Sequence, residues 1–152
     1  MENTSVIENV QLTEILNQQL ANWNIMYTKL HNYHWYVSGK DFFTLHEKFE
    51  ELYNEAAQYI DEIAERILTV DGKPLATLKE YLDKATISEA TSTESSEEMV
   101  ASIVKDFEII IQDAQDVVRV AEKDDDEVTA DMFIGLQASL QKHRWMLEAY
   151  LK

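Results

Sequence analysis

Residues 41–71 read DFFTLHEKFEELYNEAAQYIDEIAERILTVD, and this stretch decides the fold. Leu45, Phe49, Leu52, Ala56, Ile60, Ile63 and Ile67 recur at three- or four-residue spacing, which lines one face of an α-helix. No glycine or proline interrupts the pattern between Asp41, an N-cap residue by type, and the turn Asp71-Gly72-Lys73-Pro74. The spacing predicts an amphipathic helix of about seven turns.

The flanking sequence repeats this periodicity. Upstream, Leu12, Leu16, Leu20, Trp23, Tyr27 and Leu30 predict a first helix over residues 9–37, closed by Gly39. Downstream, Leu75 to Ala85 carries Leu78, Tyr81 and Leu82 and reads as a short amphipathic helix lodged between two long ones. The polar stretch Ser88 to Ser96 is a loop leading to a cap. A third long helix follows from Met99, Ile103, Phe107, Ile110, Ala114, Val117 and Ala121. After the acidic break Lys123-Asp124-Asp125-Asp126 comes a fourth, striped by Met132, Leu136, Leu140, His143, Leu147 and Tyr150. The expected fold is all-α: a four-helix bundle with a short extra helix in the connection between helices two and three. One domain spans residues 1–152, with residues 1–8 expected to be a flexible N-terminal segment.

Composition agrees and excludes several functions. Three glycines, one proline and 45% hydrophobic residues suit a packed helical chain. The formal charge is −16, from 29 acidic and 13 basic residues, a surface that repels phosphate backbones and attracts cations. DNA binding is therefore not expected, and neither end carries a lysine-rich arm. Cysteine is absent, which removes disulfides, thiolate metal sites and thiol nucleophiles. No signal-peptide pattern opens the chain and no apolar run is long enough to span a bilayer, so a cytoplasmic protein without a membrane partner is expected.

Within this acidic background five residues form a pattern: His34, His46, Glu50, Asp61 and Glu65. On a helical wheel the last four occupy an arc of roughly 100°, apart from the core stripe of their own helix. Ala57, Ala64 and Leu68 share that flank, as on a face buried by something outside the bundle. His46 and Asp61 are separated along the helix by roughly 22 Å of rise, whereas metal–ligand bonds are about 2 Å. Two copies of the helix packed antiparallel about a two-fold axis would bring the His46 end of one beside the Asp61–Glu65 end of the other, making two identical sites. His34 adds a second imidazole from across the Gly39 turn. Taken singly, each has an ordinary explanation, a core histidine or a solvated carboxylate; the joint pattern points to metal. Imidazoles and carboxylates without sulfur suit Fe(II), with Zn(II) or Mn(II) as competitors. His143 is read as core; His31, one turn from His34, stays open between an unrelated residue and a neighbour that orients the ligands. The Glu-x-x-His pairs of intrasubunit di-iron bundles are absent.

Three segments carry a family resemblance: His31-Asn32-Tyr33-His34-Trp35-Tyr36, Phe42-Phe43-Thr44-Leu45-His46-Glu47-Lys48-Phe49-Glu50-Glu51-Leu52-Tyr53, and Asp61-Glu62-Ile63-Ala64-Glu65-Arg66. They resemble the signature of the Dps family of mini-ferritins, in its non-DNA-binding, Gram-positive type. The likeness covers nearly the whole chain, including the short middle helix and Lys142-His143-Arg144-Trp145-Met146. It implies a ferritin-like bundle assembled as a dodecameric hollow shell. It also implies a ferroxidase that oxidises Fe(II), preferably with hydrogen peroxide and otherwise with O2, and stores ferric mineral inside.

The resemblance implies that His34 and His46 come from one subunit and Asp61 and Glu65 from its partner, with up to two irons per site. Trp35 resembles the family's aromatic that takes up oxidising equivalents. The family commonly has an aspartate where this chain has Glu50, one methylene longer. Glu122, Glu127 and Asp131 match positions lining the family's three-fold iron-entry pores, although a preference of acidic residues for a helix N-terminus explains part of that cluster. The alternatives are a non-enzymatic metal-sequestering shell, a stress scaffold or DNA-protecting shell, and a monomeric helical metal-binding domain.

Overall fold

The computed structural model describes residues 3–152, with side chains from Gln11 onward. Four long helices, α1 (Asn3–Tyr36), α2 (Phe42–Thr69), α4 (Ser96–Lys123) and α5 (Glu127–Leu151), are joined by short turns within the pairs α1–α2 and α4–α5. A long connection carrying the short helix α3 (Leu78–Lys84) links the two pairs. This is the expected all-α bundle with an extra helix between the second and third long helices.

The chain ends these helices where its side chains offer alternatives to the helical ladder. Ser95 caps α4 by accepting from the Glu98 amide, while the Glu98 carboxylate accepts from the Ser95 amide. Asp126 caps α5 by accepting from the Thr129 amide at 3.0 Å. Asp41 stands at the N-cap of α2 but makes no capping bond; its carboxylate accepts from the Tyr150 hydroxyl at 2.8 Å, tying the start of α2 to the end of α5.

The core is one cluster drawn from all four long helices, with Trp23, Phe49, Phe107 and Phe133 among its largest fully buried side chains. Removing one of these aromatic rings would cost roughly 3–5 kcal/mol. The expected stripe of α4 is buried at every position from Met99 to Ala121. On α2 the position between Ala56 and Ile63 belongs to Tyr59, with Ile60 only half-buried. On α5, Phe133 replaces Met132 as the buried residue.

α1 departs furthest from the sequence expectation. It begins at Asn3 rather than near residue 9; Met1 and Glu2, the start of the segment expected to be flexible, lie outside the described residues. It packs against α2, α3 and α4, so it is buried on more than one face. Polar side chains on it are consumed as tethers. Asn22 accepts from the Thr86 amide at 2.8 Å and donates to the Thr86 hydroxyl, and Asn17 exchanges bonds with Lys73 and Leu75. Lys29, 4% exposed, pairs with Asp106 on α4 at 2.7 Å and donates to the Ser88 carbonyl at 2.9 Å. These bonds fasten the long connection to the bundle. α3, the short helix expected between two long ones, buries no residue: Leu78 and Leu82 of its stripe are exposed, and Tyr81 is half-buried against the core.

Candidate metal centre

His34 lies in the last turn of α1 and His46 in the first turns of α2, and the chain reverses between them at Gly39. Gly39 sits at φ 99°, a conformation that side-chain-bearing residues rarely adopt. The reversal stacks the two imidazoles, with ring centres 3.7 Å apart and planes inclined by 11°. Each Nδ1 is 2.7 Å from the other residue's backbone carbonyl. A carbonyl only accepts, so each Nδ1 carries a proton, and the tautomer this selects has its lone pair on Nε2. Two nitrogen donors are thereby oriented and set in the ligating tautomer by backbone alone. Burial fixes them further: His34 is 8% exposed, and Phe42 stacks on His46 at 4.9 Å.

Glu50 follows His46 by one helical turn and is exposed, with Oε1 accepting from the Tyr53 hydroxyl at 3.2 Å. The Tyr53 phenol donates this bond, and burial and then the Glu50 charge push it above its ordinary value. Asp61 and Glu65, again one turn apart on α2, are exposed, and their carboxylates have no hydrogen-bond or ion-pair partner among the described residues. Because α2 runs unbroken through all four positions, the rise of roughly 22 Å between His46 and Asp61 stands. Among the described residues no group of three or more histidines and carboxylates of one chain converges on a point that could hold a metal. The imidazole pair occupies one end of α2 and the carboxylate pair the other. Leu68, 59% exposed, lies on the same flank as the carboxylates.

An aromatic wall stands behind the histidines. The His31 ring lies flat on Tyr53, centres 3.9 Å apart, with its Nδ1 2.8 Å from the Tyr27 carbonyl. The Tyr53 ring meets His34 edge-on at 5.3 Å. Trp35 is 68% exposed and packs on His31 at 5.3 Å, with the His31 and Tyr53 rings between it and the His34–His46 pair. Sequence reasoning passed over Tyr53; its position three residues after Glu50, on the same helical face, was the available signal.

The acidic turn divides into two roles. Asp126 is structural: besides capping α5 it pairs with Arg66 at 3.0 Å. Burial alone would raise its carboxyl, but the Thr129 bonds and Arg66 hold it below the ordinary range. Glu122, Glu127 and Asp131 are exposed instead and line one open concavity with Val128, Ala130 and Ile134. The three expected pore residues are thus gathered around the same depression.

His143 is not a core residue. It is half-buried between α5 and α2, with Nε2 2.8 Å from a Glu55 carboxylate oxygen and Nδ1 3.4 Å from the Lys48 ammonium. Burial would raise the Glu55 carboxyl, yet bonds from His143 and Ser139 hold it below its ordinary value. Its partners come from another helix, so spacing along its own helix gave no sign of them.

The comparisons with known proteins fit this bundle. A family model, the Ferritin-like domain, matches residues 13–152. The chain is 53% identical to DNA protection during starvation protein 2 of Bacillus anthracis over 143 residues, which is 94% of this chain and 98% of that one. It superposes on the crystal structure of a Dps protein from Bacillus brevis with a TM-score of 0.94 and 51% identity, covering 95% of this chain and 97% of that one. It also superposes on a Vibrio cholerae Dps protein, described as a member of a broad superfamily of ferritin-like diiron-carboxylate proteins, with a TM-score of 0.93 and 36% identity; 96% of this chain and 92% of that one are covered. The chain belongs to the Dps family of ferritin-like proteins. No described helix is long and apolar enough to cross a membrane.

Proposed function

We propose that the protein is a ferroxidase that stores and detoxifies iron, working as a dodecameric shell whose oxidation sites are shared between subunits. The observation that carries this reading is the separation along α2: at one end the His46 imidazole and, from the end of α1, that of His34 present free Nε2 lone pairs, and at the other stand two carboxylates with no partner among the described residues. Neither half offers a complete ligand set, and a two-fold axis joins the halves of two chains into two identical sites. His34 and His46 of one subunit with Asp61 and Glu65 of another would bind the substrate Fe(II), and Glu50 would extend the site toward a second iron. Nitrogen and oxygen donors without sulfur suit Fe(II), and the same donors accept Zn(II) or Mn(II).

Two adjacent Fe(II) ions supply two electrons to one hydrogen peroxide. With two protons taken up, the products are two Fe(III) and two waters, and no hydroxyl radical is released. Trp35, packed on His31, stands where a stray oxidising equivalent could be absorbed. The cluster of Glu122, Glu127 and Asp131 would draw Fe(II) inward, and the net charge of −16 per chain raises the local cation concentration. Relatives named for DNA protection supply a second reading, in which the shell shields DNA by contact. The acidic surface favours protection by removing iron and peroxide over direct binding.

The test is an anaerobic Fe(II) titration of the assembled protein followed by peroxide, with iron stoichiometry and oxidation read together. Stoichiometric binding and fast oxidation are expected, both abolished in a His34→Gly/His46→Gly variant. Oxidation by that variant at the wild-type rate would refute the reading.

A further inference from the structure

We infer that Tyr53 is a positioning residue for the metal centre, holding the Glu50 carboxylate in place through one oxygen and leaving the other as donor to the metal. This rests on the site proposed above.

Glu50 is exposed and joined to the backbone by a flexible stem, so left alone its carboxylate would sample several rotamers. The Tyr53 hydroxyl removes that freedom by donating to Oε1 at 3.2 Å, and Glu50 has no other side-chain bond among the described residues. Oε1 is thereby committed and Oε2 remains free. The tyrosine is itself held. His31 covers its ring at 3.9 Å, His31 in turn is fixed by its bond to the Tyr27 carbonyl, and the His34 imidazole abuts the ring at 5.3 Å. Tyr53 therefore touches one candidate nitrogen ligand through its ring and orients one candidate oxygen ligand through its hydroxyl. It couples the two without ligating. The extra methylene of Glu50 lets its carboxylate meet a hydroxyl one turn along the helix, so Glu50 and Tyr53 act as a pair.

The experiment uses assembled shells and Co(II), whose d–d absorption reports coordination without any oxidation step. Tyr53→Phe keeps the ring, and with it the contacts to His31 and His34, while deleting the hydroxyl. It is expected to weaken Co(II) binding about tenfold, the lower range for loss of a group that orients a ligand, and to alter the d–d envelope. In a Glu50→Ala background the same substitution is expected to change neither. Wild-type affinity and spectrum in Tyr53→Phe would overturn the role of Tyr53 while leaving the site intact. An equal loss with and without Glu50 would show that the hydroxyl acts otherwise than through Glu50, and would also overturn it. A wild-type shell that takes up no Co(II) would overturn the site and this inference together.

Discussion

If each metal centre takes imidazoles from one chain and carboxylates from another, two inactive variants should restore one another when mixed. Let one carry His34→Gly/His46→Gly and the other Asp61→Ala/Glu65→Ala. Each homogeneous shell lacks half of every site and should be inactive. In a shell assembled from an equal mixture, a site is complete only when its imidazole donor is the second variant and its carboxylate donor the first. With random assembly this holds for about a quarter of the sites. The figure follows from the roughly 22 Å of helix between the two halves, which forbids one chain from supplying both. The assay is peroxide-driven Fe(II) oxidation by shells refolded from the unfolded mixture, with the assembly checked by sedimentation. Recovery near 25% of the wild-type rate is expected. Mixed shells as inactive as their parents would refute the shared-site argument, because ligands confined to one chain cannot complement.

Two further predictions concern what holds the site's frame. Lys29→Met should cost roughly 3–5 kcal/mol, because it leaves Asp106 buried without its partner; Lys29→Met/Asp106→Leu should recover most of that loss. Burial already pushes the Asp106 carboxyl above its ordinary value despite Lys29, so the single variant's deficit should shrink as pH falls and Asp106 protonates. Urea midpoints at fixed protein concentration, at neutral and mildly acidic pH, measure both effects, and a double variant as unstable as the single would count against the explanation. Glu94 accepts from the Tyr33 hydroxyl at 2.6 Å and from Thr91 and Thr93; burial would raise its carboxyl, but chiefly the Thr91 and Tyr33 bonds hold it down at about 2. Being depressed below the unfolded value, it contributes stability present above the ordinary carboxylate range and lost as pH falls toward about 2. Glu94→Gln should flatten that acid limb, and an unchanged pH profile of the unfolding midpoint would contradict the assignment.

The bundle was legible because burial imposes a period on the chain. The stripe of α4 could be read position by position, and the polar stretch Ser88 to Ser96 read as a loop leading to a cap, which the structure places at Ser95. Where a helix is enclosed on several faces the signal blurs, as on α1, whose Gln19 and Asn22 are fully buried although polar. Their partners, the Ile110 carbonyl and Thr86, lie far along the chain. The same distance hid the Lys29–Asp106 pair and misassigned His143, whose carboxylate partner Glu55 stands on another helix.

For the candidate site the sequence by itself determined which residues could ligate and that a continuous helix keeps them apart, since both follow from residue chemistry and helical rise. Only the tertiary structure decided how the donors are presented. The turn at Gly39 exchanges carbonyl bonds between His34 and His46 and so selects the tautomer that frees both Nε2 atoms. It also set Tyr53 between His31, His34 and Glu50. Spacing along a chain states which groups share a face; hydrogen-bond direction and ring stacking exist only once two segments have been packed against each other.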